Sequence, residues 1–97
     1  MPEEQKLIYK IAKSSAFKKD LKKLSPDEKL ETKDVITKLA QGKQLEEKYH
    51  DHQLLGQLKD YRDCHVRPDL VLIYKIKDDV LELYLFRIGS HSKLMKK

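Results

Sequence analysis

The stretch "LVLIYKI", Leu70 to Ile76, is the feature that most limits what this chain can build. A continuously apolar run this short has to be covered on both faces, and it is far too short to cross a bilayer. It extends as a strand over residues 69 to 77, and Lys77-Asp78-Asp79 follows as a polar turn. Residues 80 to 88 are rich in leucine and aromatics, so the two runs are expected to form an antiparallel hairpin. Residues 60 to 66 alternate and supply a third strand in front of them.

The N-terminal half carries different periodicities. "KLIYKIAKS" alternates in twos and reads as a short strand. In "SSAFKKDLKKL", Phe17, Leu21 and Leu24 form one helical stripe behind a Ser14 or Ser15 cap. The lysines between them read as the wet face of that helix, or as a grip on an RNA backbone. "SPDEKL" opens a second helix with Ser25 as N-cap, Pro26 in the first turn and Glu28 as the capping-box acid. Leu30, Ile36, Leu39 and Ala40 ride on it until Gly42. The segment from Lys43 to Gly56 reads as a polar connection. The expected fold is therefore α+β: an N-terminal strand, two helices, then an antiparallel β meander with the helices on one sheet face. With 97 residues and no composition break, residues 1–97 are expected to be a single domain.

Charged residues make up 38% of the chain, with a net charge of +5, which favours a polyanion or an acidic protein as partner. One cysteine, Cys64, excludes an internal disulfide and fits a reducing compartment. No apolar leader follows the acidic start "MPEEQK", so a cytoplasmic protein without membrane attachment is expected.

All four histidines, His50, His52, His65 and His91, lie outside the helical half. In a meander the end of one strand and the start of the next share a sheet edge. His65 with Asp69, and Arg87 with His91, are expected to converge there with His52 beside them. Such a set suits metal-free RNA cleavage. Imidazoles can take and give protons near neutrality, an arginine fork matches phosphate oxygens, and an aspartate can fix a histidine tautomer. His50 is read as a bystander, Cys64 as a small core residue, and Arg62 with Asp63 as a possible surface ion pair. Tyr61, Tyr74, Tyr84 and Phe86 are read as packing groups. A metal pair in "HDH" at 50–52 lacks the cysteine spacing of a zinc site, so no metal or other cofactor is expected. A plain RNA-binding module with incidental histidines is the rival reading from the residues alone.

The spacings also resemble a known family. "YHDHQLLGQLKDYRDCHVRPDLVLIYKI", followed by "LYLFRIGSHSKL", is similar to the YafQ-like branch of the RelE/ParE toxin superfamily. The resemblance rests on Tyr49, Asp51, His52, Leu54, Gly56, Tyr61, Arg62, Asp63, His65, Pro68, Asp69, Leu72 and Tyr74. Arg87, Gly89, His91 and Leu94 continue it. It covers about the C-terminal half, and the helical half agrees in order and pattern. The resemblance implies a toxin of a type II toxin–antitoxin pair that cleaves mRNA on the ribosome without metal and is neutralised by a cognate acidic antitoxin. It places catalytic groups on His52, His65, Asp69 and His91, and phosphate binding on Arg87 and Arg62. Lys93 and Met95 fall at substrate-binding positions. Gln53 stands where the family usually has proline, and Met95 where the branch often has an aromatic residue. The superfamily's ParE-like members, which poison gyrase, supply a non-nuclease alternative.

Overall fold

The computed structural model describes residues 7–94. Met95 therefore lies outside the described residues. Strand β1 (Lys10–Lys13) leads into helix α1 (Ser15–Lys22) and helix α2 (Pro26–Ala40). A short strand β2 (His52–Gln53) precedes β3 (Arg62–Arg67), β4 (Leu70–Lys77) and β5 (Glu82–Gly89), and a single turn α3 (His91–Leu94) follows. The five strands lie in the order β1-β5-β4-β3-β2, with β1 parallel to β5 and the other pairs antiparallel. No helix among the described residues is long and apolar enough to cross a membrane.

Both expected helix starts form. Ser14 Oγ accepts the Phe17 amide at 2.9 Å and donates to the Phe86 carbonyl at 2.6 Å, so the α1 cap is also tied to β5. Ser25 and Glu28 make the reciprocal box, at 3.2 and 2.8 Å. α2 ends in a two-bond C-cap: Gly42 N–H reaches the Leu39 carbonyl and Lys43 N–H reaches that of Lys38. Gly42 sits there at φ +77°, which a side chain would strain.

The first strand is shorter than its alternation suggests. The Ile8 and Tyr9 amides both donate to the Ala40 carbonyl, satisfying the end of α2 instead of a ladder. The β4–β5 hairpin forms, but its loop runs through Leu81, whose φ of +50° is incompatible with a strand. The connection before β3 is also more ordered than its polarity implied. It holds β2 and two 3₁₀ turns, Glu47–Tyr49 and Gly56–Leu58, and buries Leu45 and Tyr49.

Phe17, Val35, Leu39 and Ala40 of the helical half pack on Cys64, Leu70, Leu72, Tyr74, Leu83, Leu85 and Ile88 of the sheet. The helices thus cover one sheet face, and strand alternation assigns the other residues to the opposite face. A β-bulge decides one of these assignments. Tyr74 pairs with Leu85 but Ile73 pairs with Arg87, which leaves Phe86 as the extra residue. Unbroken alternation from Leu83 and Leu85 would have driven Arg87 into the core. The bulge gives that place to Ile88 and turns Arg87 to the open face.

Candidate functional site

On the open face, β-register lines up His52, Asp63, Ile73 and Arg87 in one row across β2 to β5. The next row contains His65, Val71 and Gly89. α3 then carries His91 back over this second row. The His65 and His91 ring centres lie 6.0 Å apart, and His50 approaches His65 edge-on at 5.7 Å. Three predicted histidines therefore gather, and His50, read from sequence as a bystander, lies against them. A left-handed turn at His50, φ +47°, swings the chain from the 3₁₀ turn into β2.

The hydrogen bonds fix proton positions. His52 Nδ1 is 2.8 Å from the His50 carbonyl, an acceptor only, so Nδ1 carries a proton. Its Nε2 then faces Asp63 Oδ1 at 3.2 Å. Likewise, His65 Nδ1 faces the Pro68 carbonyl at 3.2 Å, which leaves Nε2 as the lone-pair nitrogen of a neutral ring. That nitrogen can accept a proton from a substrate.

Asp63 is the residue sequence reasoning undervalued. It is 1% exposed, and Oδ1 has no aligned hydrogen-bond donor, the His52 contact being an ion-pair distance at poor angle. Burial pushes its carboxyl above the ordinary value, while positive charge on His52, His65 and His91 pulls the other way and Asp51 adds to the rise. The signal was present: Asp63 is two positions from His65 in one strand, and so on the same face.

The two arginines behave differently. Arg62 pairs with Tyr74 in register and so belongs to the helix-covered face. There Nε and Nη2 each meet the Asp51 carboxylate at 3.3 Å, and the Tyr74 hydroxyl donates to the same group. Arg62 therefore does not join the histidines, and its expected partner Asp63 points the opposite way. Arg87 does share their face. It is held by Asp20 of α1, Nε to Oδ2 at 2.7 Å and Nη2 to Oδ1 at 3.1 Å, and Oδ2 also accepts the Ile88 amide at 3.1 Å. Burial works against the Asp20 charge, but Arg87 and the Ile88 amide outweigh it and hold the carboxyl below its ordinary value. Asp69 lies exposed on the β3–β4 turn and makes no hydrogen bond or ion pair shown among the described residues, so it does not orient an imidazole here. The Pro68 carbonyl does that for His65. Lys93 is exposed on α3, close enough for its charge to reach Asp20. Cys64 is buried, and burial raises its thiol far above the usual range, so it is packing and not a nucleophile.

A sequence profile of the bacterial toxin of type II toxin–antitoxin systems, YafQ, matches residues 9–96. The chain belongs to the YafQ family of toxins. A YafQ-named toxin of Haemophilus influenzae is 41% identical, over 96% of both chains. The mRNA interferase toxin YafQ of Escherichia coli K12 is 50% identical over 46 residues, 47% of this chain and 48% of that protein. The crystal structure of the E. coli DinJ–YafQ toxin–antitoxin complex matches with a TM-score of 0.78 at 36% identity, covering 91% of this chain and 98% of the solved one. The α+β architecture is thus shared by solved members of the family.

Proposed function

We propose that this YafQ-family chain is an endoribonuclease, an mRNA interferase that cuts ribosome-bound mRNA by attack of a ribose 2′-hydroxyl on the adjacent phosphate. In this reaction the 2′-O–P bond forms, the P–O5′ bond breaks, and the 3′ end becomes a cyclic phosphate. One group must take the hydroxyl proton and another must give one to the departing 5′-oxygen. The observation that carries the reading is the pair of imidazoles at 6.0 Å on the open face, His65 with a free Nε2 and His91 above it. Each positioned acid or base typically contributes about 10²–10⁴ in rate.

His65 and His91 are assigned the two proton transfers, in either order. His52, with Nε2 3.2 Å from Asp63 Oδ1, is assigned a supporting part as a source of positive charge or a proton relay. Arg87 spends two N–H groups on Asp20 and keeps the rest of its fork for a non-bridging phosphate oxygen. Asp69 is left as a solvent-facing carboxylate that can accept a proton, with Lys93 and Met95 contacting the strand. The net charge of +5 fits a cognate acidic antitoxin as the neutralising partner, and a cytoplasmic site of action follows from the ribosome as target.

The test is primer extension on translating ribosomes with wild type, His65→Ala and His91→Ala. Cleavage by wild type and its loss in both variants is expected. Wild-type cleavage that both variants retain would remove the mechanism. A gyrase poison would instead show itself in a supercoiling assay with unaltered mRNA.

A further inference from the structure

Beyond the histidines, the open face continues into a strip whose side chains are neither buried core nor free surface. β4 alternation sends Lys75 and Lys77 to this face, and register sets Tyr84 beside Lys75. Tyr61, two residues before Asp63, lies on the same face, and the bulge delivers Phe86 to it. The Tyr61 and Phe86 rings are 4.8 Å apart, and the Tyr84 and Phe86 rings are stacked at 6.4 Å. Lys75 Nζ lies 5.3 Å from the centre of the Tyr61 ring, and Lys77 Nζ 5.4 Å from that of Tyr84. All three rings are half-buried, so each keeps an accessible part. Tyr74, the fourth aromatic of this region, is 1% exposed in the core and plays no part.

The strip is continuous with the candidate site. Along β4, Lys75 follows Ile73, the residue in register with both Asp63 and Arg87. At about 3.3 Å per residue the strip begins roughly 7 Å from that row, about one nucleotide step away. Three clustered rings alone would suit any apolar partner. The lysines beside them, the exposed Lys10 at the β1 edge and the net charge of +5 favour a polyanion with flat bases. Glu82 pairs with Lys77 at 3.2 Å and offsets part of that charge.

We propose that Tyr61, Phe86 and Tyr84, with Lys75 and Lys77, form the track on which single-stranded RNA flanking the cut phosphate lies, its bases stacked on the rings and its phosphates on the lysines. The inference rests on the nuclease reading for its direction, but not for its measurement. Stacking on one ring typically accounts for about 1–3 kcal/mol per base, or roughly 5- to 150-fold in affinity.

The experiment is fluorescence anisotropy of the full chain with a short 2′-O-methyl oligonucleotide, which cannot be cut. Tyr84→Leu is expected to weaken binding about tenfold, and Tyr84→Phe, which keeps the ring, to retain it. Lys75→Gln is expected to lower the slope of log affinity against log salt by about 0.7, one phosphate contact. Equal affinity of wild type, Tyr84→Leu and Lys75→Gln overturns the track. So does a loss of antitoxin-peptide binding in these variants with RNA binding intact, since the strip is then a protein surface. If the variants lose RNA binding as expected while wild type cuts no ribosomal mRNA, the track stands and the nuclease reading falls. If wild type cuts mRNA while all variants bind alike, the track alone falls.

Discussion

Replacing Asp20 with asparagine tests how the fold holds its one open-face arginine. The carboxylate takes three hydrogen bonds: from Arg87 Nε at 2.7 Å, from Arg87 Nη2 at 3.1 Å and from the Ile88 amide at 3.1 Å. Asparagine keeps one acceptor oxygen and turns an NH₂ towards the donor or donors on the other side, so at least one of the three is lost and its N–H is opposed by another donor. Hydrogen bonds to charged groups each contribute about 1.5–3 kcal/mol, and breaking a buried pair costs about 3–5 kcal/mol. The Arg87 side chain is 33% exposed, so water compensates part of its loss. A loss of about 3 kcal/mol at pH 7 is expected, near the lower end of that range. At about 4–8 °C per kcal/mol for a domain of this size, Tm should fall by roughly 12–24 °C.

The same substitution has a definite pH signature. The Asp20 carboxyl is held below its ordinary value of 3.8, so its stabilisation is fully present above that value and is lost as pH falls through the folded-state value. Circular-dichroism melts of wild type and Asp20→Asn from pH 7 to pH 2 should therefore converge at the acid end. A loss below about 1 kcal/mol at pH 7 would refute the reasoning, being no more than a surface pair contributes. A gap that stays constant down to pH 2 would refute it too.

Three further outcomes follow from the geometry. Asp63 behaves oppositely to Asp20: its carboxyl is raised, so the folded state binds that proton more tightly and stability falls as pH rises from 3.8 through the raised value. Asp63→Asn should then melt no lower than wild type at pH 7 in the same circular-dichroism assay. Gly42→Ala should cost about 1–2 kcal/mol in urea unfolding for a side chain at φ +77°, with the half-exposed Ile8 able to move off the new methyl. Tyr74→Phe should cost about 1 kcal/mol by the same assay, since Asp51 loses a donor but keeps Arg62.

How much of this was legible before any coordinates depended on whether the signal was local. Ser25, Pro26 and Glu28 announce a helix start by chemistry within four residues, and that start forms as read. The hairpin and the gathering of His52, His65 and His91 follow from strand order and alternation. The places where alternation fails were hidden. Nothing in "LYLFRIG" marks Phe86 as the bulged residue, yet that bulge decides whether Arg87 faces the core or the histidines. Partner choice was hidden too. Arg62 and Asp63 are neighbours in sequence and so lie on opposite faces, where each finds a partner from the connection before β3. Asp20, inside the lysine run of α1, has the spacing of the Phe17 stripe, i+3, which was the available sign that it turns inward. Half-buried rings on a sheet cannot be told from core rings by composition, and for that reason Tyr61, Tyr84 and Phe86 read as packing groups alongside Tyr74.

The account depends most on imidazoles from β3 and α3 handling the protons of a single phosphate transfer. Single-turnover cleavage of ribosome-bound mRNA by wild type, His65→Gln and His91→Gln, with the new RNA ends identified chemically, measures this directly. The account predicts 2′,3′-cyclic phosphate ends from wild type and a rate loss of about 10²-fold or more in each folded variant. Linear 3′-hydroxyl ends from wild type, or variants that cut at the wild-type rate, would contradict it.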